Sequence, residues 1–288
     1  MVLLKRAKNF AFFVLLGLGF LNILAWSILF EINKPRLLEV NFFDVGQGDA
    51  ILIVSPQKHQ ILIDGGPNST ILEKLAKSLP FYDKSLDLII LTHPERDHLA
   101  GLIEVLKSYK VDYILWTGAT RETAEYQEWQ KLIEKEGATI KIAKIGQKIK
   151  AGKVYFDIFS PLENLEGKVV KDSNNTSIIA RLVFGENSFL FTGDVYKSEE
   201  NKLIEREIEI DSDILKISHH GSKTSSDEEF IMKVSPEIAV ISVGRENKYG
   251  HPHLATLETL NKYSIKILRT DLDGDIKFLC NSQSLKPK

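Results

Sequence analysis

The stretch Leu91–Leu102, LTHPERDHLAGL, sets His93, Asp97 and His98 within six residues. Upstream, Leu86–Thr92 is a short apolar run of the kind that forms a buried strand. Downstream, Leu99, Leu102, Ile103 and Leu106 recur at helical spacing over Asp97–Ser108. A strand that ends beside a loop histidine, then reopens as a helix carrying Asp and His in its first turn, brings imidazole and carboxylate together. Those are ligands for a borderline-hard divalent ion such as zinc or manganese. Glu95 stands where a second alternating histidine would complete the set. Taken alone, the stretch also has a plainer reading, with Asp97 as a helix N-cap among surface histidines.

On either side of this stretch, strand-like and helix-like segments alternate to the end of the chain. Before Gly146 the strand-like runs are Leu38–Val45, Ala50–Val54, Gln60–Asp64, Leu86–Thr92, Asp112–Trp116 and Thr139–Ile145. After it they are Lys153–Phe159, Ser177–Phe184, Ser188–Thr192, Asp213–Ser218, Glu237–Val243, Lys266–Arg269 and Asp275–Leu279. Helical patterns cover Ile71–Ser78, Arg121–Glu136, Tyr196–Arg206, Ser226–Val234 and Leu254–Tyr263. Two β-rich halves, each with its own helices, predict an α/β fold of four layers, an αββα sandwich, rather than a doubly wound parallel sheet. No P-loop or dinucleotide turn is present, and GQGD at Gly46–Asp49 reads as a turn between strands.

The 288 residues carry a formal charge of −2, so a polyanion would have to be held by a local patch or a metal rather than by net charge. The single cysteine, Cys280, excludes an intrachain disulfide and a cysteine-rich zinc module. Phe10–Phe30 is apolar but for Asn22 and Ser27, about the ~20 residues a membrane-crossing helix needs. Lys5, Arg6 and Lys8 precede it, and Glu31, Lys34 and Arg36 follow with less positive charge. The inside-positive rule predicts residues 1–8 in the cytoplasm, an anchor over 9–30, a linker over 31–37, and a domain over 38–283 outside the cytoplasmic membrane. The run exceeds a signal peptide's apolar region and lacks a small-residue cleavage site.

Six of the seven histidines fall into three tight clusters near strand ends, where side chains of α/β folds converge on a cleft. Besides the opening stretch, Ile217–Ser222 (ISHHGS) contains His219 and His220, of which an extended chain would turn only one inward. Tyr249–His253 (YGHPH) contains His251 and His253. Phe191–Asp194 (FTGD) ends an apolar strand in a carboxylate. Asp44 and Asp64 close other apolar strands and, as buried acids, predict partners: roles orienting metal ligands. The remaining histidine, His59, reads as a solvated turn residue.

The set FFDVGQGDAILI, ILIDGG, LTHPERDHLAGL, NNTSIIARL, FTGDV, LKISHHGSKTS, YGHPH and RTDLDGDI, in this order over about Val40–Ile276, resembles the metallo-β-lactamase fold superfamily. Within it, the chain looks like the extracytoplasmic hydrolase domain of the ComEC-type DNA-internalisation competence family. That resemblance implies one or two divalent ions, zinc or manganese. Asp97, His98, Asp194 and one of His219 or His220 match one metal site. His93 matches the other, where Glu95 replaces a histidine and Asn174, Asn175 or Ser177 stands in place of a third. Glu95 is left open as ligand, general base or bystander.

The implied reaction is metal-dependent hydrolysis of a phosphodiester, most readily DNA, with a separate DNA-translocation pore as a partner. The residues implied are Asp97, His251 and Glu95 for catalysis, and Asn175, Ser177, Ser222, Lys223 and His253 for binding the substrate. The rival readings are a hydrolase of a small extracellular ester or lactone, and a metal-poor domain that binds DNA or a partner without turnover.

Overall fold

The computed structural model describes residues 2–33 and 36–288, without the side chains of residues 2–11 and 31–33. It divides into Met1–Arg36 and Leu37–Lys288. The first unit is one helix, α1 (Val2–Asn33). Over Phe12–Phe30 its mean hydropathy is 2.2 and its side chains are exposed. A helix apolar on every side and of this length is long enough to cross a bilayer. Ser27 donates its hydroxyl back to the Ile23 carbonyl at 2.8 Å, which satisfies it without water. The charges at residues 5, 6, 8, 31 and 34, on which the inside-positive reading rests, lie outside the described side chains.

The second unit begins β1 (Leu38–Phe42), β2 (Ile51–Val54), β3 (Gln60–Ile63), α2 (Thr70–Ser78), β4 (Ser85–Leu91), α3 (Arg96–Ser108), β5 (Lys110–Trp116), α4 (Ala124–Glu136) and β6 (Thr139–Ile142). It continues through β7 (Lys148–Ala151), β8 (Val154–Ser160), β9 (Ile179–Phe184), β10 (Asn187–Phe191), α5 (Lys197–Glu205), β11 (Ile214–Lys216) and α6 (Glu228–Val234). The chain closes with β12 (Ile238–Ile241), α7 (Leu254–Lys262), β13 (Lys266–Arg269), α8 (Thr270–Asp273), β14 (Ile276–Cys280) and β15 (Leu285–Pro287).

These strands form an eight-stranded sheet, ordered β15-β14-β1-β2-β3-β4-β5-β6, and a seven-stranded sheet, ordered β13-β12-β11-β10-β9-β8-β7. The all-apolar strands are explained by burial on both faces. Ile53, Ile61 and Ile90 point between the sheets, while Leu52, Leu62 and Ile89 point at α2, α3 and α4. In the other sheet Val240 points inward, and Ala239 and Ile241 point at α5, α6 and α7. Three apolar layers separate four structural ones, the αββα sandwich.

Three expectations are corrected. The halves do not divide cleanly after Gly146, because β14 and β15 return to the first sheet: β14 pairs antiparallel with β1, with Val40 opposite Phe278. The domain also runs past residue 283, since Lys286 of β15 pairs with Leu279. Finally, β7, β15 and α8 interrupt segments that the sequence pattern leaves unstructured.

The opening stretch is held by a backbone contact. Gly101 in α3 donates its N–H to the Gly66 carbonyl at 2.9 Å, and Gly65 donates to the His98 carbonyl at 2.8 Å. A Cβ on Gly101 would lie 1.8 Å from the Gly65 carbonyl oxygen. Only glycine lets the first turns of α3 sit directly on the turn after β3, and this fixes where Asp97 and His98 project.

Candidate metal centre

The strands β3, β4, β5 and β6 run parallel, as do β10, β11, β12 and β13, and the ends of β4, β10 and β11 open on one cleft. β4 delivers Thr92 and His93. Glu95 is the extended residue before α3, whose first turn carries Asp97 and His98. β10 delivers Asp194 after the Gly193 turn, and β11 leads into His219 and His220.

Asp97, His98, Asp194 and His220 converge: one ligand atom from each lies within 4.8 Å of the others. His98 Nε2 is 3.3 Å from Asp194 Oδ2, and His220 Nε2 is 3.2 Å from the same oxygen and 3.4 Å from Asp97 Oδ2. Each imidazole is turned by a bond on its far side. His98 Nδ1 meets Asp64 Oδ2 at 2.8 Å, and His220 Nδ1 donates to the Ser242 carbonyl at 2.8 Å. Since a carbonyl only accepts, the proton of neutral His220 sits on Nδ1, and its Nε2 lone pair faces the cluster.

Among the described residues, the Nε2 atoms of His93, His98 and His220 are buried without a hydrogen-bond partner. Orphaned imidazole nitrogens beside two carboxylates fit a divalent cation well, because a buried polar atom otherwise costs its full desolvation. The carboxylates and imidazoles also shift one another's ionisation. Burial opposes ionisation of Asp194, yet His220, His98 and Lys216 hold its carboxyl well below the usual range. Burial also works against a charge on His220, but Asp194 and Asp97 push it up to about 10.

Asp64 serves two histidines. It accepts from the Thr92 N–H at 2.8 Å and the Thr92 hydroxyl at 2.7 Å, besides its contact to His98. Because that hydroxyl proton is committed to Asp64, the 3.0 Å contact of Thr92 Oγ1 with His93 Nδ1 must be accepted from the imidazole. His93 therefore also presents a bare Nε2. Its ring lies 4.2 Å from that of His98, although it stands outside the set of four. Burial, then the neighbouring His98, keeps His93 neutral.

Several sequence-predicted residues stand elsewhere. Asp44 is half-buried in the turn after β1, where it accepts from the Gly46 N–H at 3.1 Å, and the buried carboxylate near the ligands is instead Asp49. Asp49 pairs at 2.5 Å with the ammonium of Lys216, which also donates to the Gly193 carbonyl at 3.0 Å. Asp49, Asp64 and His98 form a second tight group. The Lys216 ammonium already neutralises it, since a buried carboxylate needs a partner. Neither Asp49 nor Lys216 is singled out by the sequence pattern.

Glu95 lines the cleft, but Arg121 Nη2 lies 3.1 Å from its Oε1 and the Ser173 hydroxyl donates to the same oxygen at 2.5 Å. Bound this way, it is neither a ligand in the set of four nor a free base. The histidine pair is not extended either: His219 and His220 have φ of 48° and 54°, both left-handed. This turn sends His220 inward and leaves His219 against Tyr196 and Asn174.

Ser177 lies behind the ligands, its hydroxyl accepting from the Asp194 N–H at 3.0 Å. Asn175 accepts from the Tyr196 N–H at 2.8 Å and stands outside the cleft lining. Ser222 bonds Thr224, Lys223 is exposed outside that lining, and His253 caps α7 by accepting from the Ala255 N–H at 3.3 Å.

The cleft above the ligands has a volume of about 320 Å³ and is lined mostly by polar side chains, among them Lys171, Asn174, Tyr196 and His251. Lys171, Tyr196 and Gln47 are missed by sequence reasoning: Lys171 lies in a loop, Tyr196 opens a helix, and Gln47 sits in a motif that reads only as a turn. Asn247 clamps the backbone of His251 at 3.0 and 2.8 Å. Burial, then the charges of His220 and His219, lowers His251 to about 4, so its imidazole is neutral. Burial and a bond to Asp172 push the Tyr196 phenol up to about 12, which keeps it a donor.

The sequence profile of the metallo-beta-lactamase superfamily matches residues 43–245. The chain is 34% identical over 258 residues to ComE operon protein 3 of Bacillus subtilis, covering 83% of this chain and 33% of that protein. It is 32% identical over 292 aligned positions to competence protein ComA of Neisseria gonorrhoeae, covering 96% of this chain and 38% of that protein. The chain thus spans about a third of the length of these relatives. Among solved structures, the metallo-beta-lactamase fold protein YhfI from Bacillus subtilis superposes with a TM-score of 0.56 at 14% identity, over 87% of this chain and 100% of that one. At that identity the likeness establishes the fold.

Proposed function

The chain belongs to the metallo-beta-lactamase superfamily, and on that premise we propose that it is a metal-dependent phosphodiesterase acting on DNA outside the cytoplasmic membrane, to which α1 anchors it. The observation that carries this reading is the convergence of Asp97, His98, Asp194 and His220, with imidazole Nε2 atoms turned inward beneath an open polar cleft. Those four residues would hold one divalent ion, with the bare Nε2 of His93 beside them. Zinc or manganese suits two imidazoles and two carboxylates. When bound, such an ion supplies Lewis-acid polarisation and lowers the pKa of water toward neutrality.

The protein's own groups do the rest. Lys171 gives the cleft a positive charge against a phosphodiester. Tyr196, kept protonated, can donate to a non-bridging oxygen. His251, neutral and fixed by Asn247, is placed to accept or pass a proton at its buried Nδ1. Asp64, Thr92 and Ser242 hold the imidazoles in their tautomers. A pocket for a small lactam or ester is expected to be mainly apolar, and this cleft is not. The name of the competence protein ComA relative supports a role in competence, which we read as DNA uptake with a separate DNA-translocation pore as the proposed partner.

The test is an assay of the full chain in detergent with added manganese or zinc. The substrates are single- and double-stranded DNA, bis(p-nitrophenyl) phosphate and nitrocefin, and Asp97→Asn serves as control. Cleavage of DNA and of the small phosphodiester, abolished by D97N, is expected. Turnover of nitrocefin alone would overturn the reading.

A further inference from the structure

A larger hollow, of about 440 Å³, lies between the sheets along their β6 and β7 edge. On β4 it is lined at Asp87 and Leu88, whereas the metal site starts at Thr92 and His93. At ~3.3 Å per residue the two are roughly 15 Å apart along the strand. The hollow opens where the sandwich is unclosed, because β6 and β7 are the outermost strands of their sheets. Its floor is apolar (Ile61, Leu88, Leu115 and Ala151), while Lys141, Lys148, Lys150 and Tyr113 line its mouth.

The charge there is one-sided. Residues 137–156 contain Lys141, Lys144, Lys148, Lys150 and Lys153 and no Asp or Glu, in a chain whose net charge is −2. Among the described residues only Lys148 of these five has a carboxylate partner, Asp157 at 3.0 Å, a surface pair worth little. Tyr113, at the mouth, is 51% exposed; Tyr155, 45% exposed, stands on the outer face of β8, with Lys150 Nζ 5.7 Å from its ring. His59 and Asp87, paired at 2.9 Å, add a donor and an acceptor at the rim. Lysines on edge strands also discourage strand addition. That role requires neither the apolar hollow nor the exposed aromatic rings.

We propose that this edge is a second nucleic-acid site. A single DNA strand runs along β6 and β7, one base enters the hollow against Tyr113, and successive phosphates meet Lys141, Lys148 and Lys150. Aromatic rings interleaved with a basic track are what binding to single strands uses. Repeating phosphates match lysines strung over thirteen residues, where the one head group of an anionic amphiphile would engage only one or two. The choice of nucleic acid over other polyanions rests on the phosphodiesterase reading, but the binding does not require the metal site.

The test uses the full chain in detergent micelles with EDTA, and a fluorescein-labelled oligothymidylate of about 20 nucleotides followed by anisotropy. The combined Lys141→Glu, Lys148→Glu and Lys150→Glu variant is expected to bind at least tenfold more weakly, with a log–log salt slope smaller by about two. Tyr113→Ala is expected to lose roughly fivefold or more. Hydrolysis of bis(p-nitrophenyl) phosphate stays within about twofold. The same three lysines changed to Gln, with thermal unfolding compared, separate lost contacts from lost folding. Oligonucleotide binding that is undetectable in the wild type, or unchanged in both triple variants, overturns the proposal. So does a loss of oleate binding with oligonucleotide binding intact. Oligonucleotide bound in EDTA without any turnover on metal addition would instead sink the phosphodiesterase reading and leave this site standing.

Discussion

Asp64 fixes two imidazoles with one carboxylate, directly at His98 and through the Thr92 hydroxyl at His93. In Asp64→Asn the amide can present only one acceptor. If its NH2 faces Thr92, the hydroxyl turns to donate to His93 Nδ1 and the His93 proton moves to Nε2. We expect about a 10- to 100-fold loss of metal affinity by calorimetric titration, with the changed tautomer visible in histidine 15N shifts. Unchanged affinity would mean that Asp64 does not orient the site.

Glu200 supports the histidine turn from below, accepting from the Ser218 hydroxyl at 2.9 Å, the Ser226 N–H at 2.8 Å and the Asp227 N–H at 3.0 Å. Burial outweighs these bonds and pushes its carboxyl from 4.5 to about 7. A raised carboxyl contributes stability that is complete below about 4.5 and is lost as pH rises through about 7, on the order of 3 kcal/mol. Urea unfolding should therefore show a larger advantage of the wild type over Glu200→Gln at pH 5 than at pH 8. A gap independent of pH would contradict this. At this scale the sequence is legible where a polar residue ends an apolar run, as at Asp64, His93 and Asp194. It is silent on Asp49, which closes an ordinary-looking turn, and on Lys216, a lone lysine in a strand. Their burial follows from pairing with each other across the fold.

Among the elements, α3 depends on Gly101. A methyl group there meets the Gly65 carbonyl oxygen, and the helix must shift. Gly101→Ala is expected to cost about 1–3 kcal/mol in urea unfolding and to weaken metal binding, because Asp97 and His98 ride on the first turn. Full retention of both would contradict the contact as described.

The returning strand β14 is locked by Phe278, whose ring packs edge-on against Phe42 at 5.9 Å and Phe189 at 5.7 Å, one from each sheet. Phe278→Ala should cost about 3–5 kcal/mol. The strands and helices that bury apolar faces were readable from periodicity. By contrast β7, KIKA between two glycines, has too little apolar surface to declare itself, and β15 is only three residues long. Which sheet β14 joins is a matter of tertiary pairing that no local pattern encodes. The left-handed turn at His219 and His220 likewise contradicts the extended chain that an apolar strand approaching them suggests.

For the whole molecule, the four-layer sandwich explains why weak motifs scattered along the chain add up to one site: the parallel strands of both sheets end at the same cleft. Four residues drawn from α3 and from the loops after β10 and β11 meet there, while the lysine-rich stretch lies along the β6 and β7 edge. The membrane-length helix and the small net charge suit the proposed anchored enzyme, which would grip DNA through local groups rather than through bulk charge.

The central claim, that Asp97, His98, Asp194 and His220 together hold a divalent ion, separates the two adjacent histidines. Manganese should be titrated into the EDTA-stripped full chain, with free ion read by electron paramagnetic resonance, for the wild type, His220→Ala and His219→Ala. A drop of about 100-fold or more is expected for His220→Ala, and an affinity within about threefold of the wild type for His219→Ala. The opposite pattern, or a wild type that binds no ion, would contradict it.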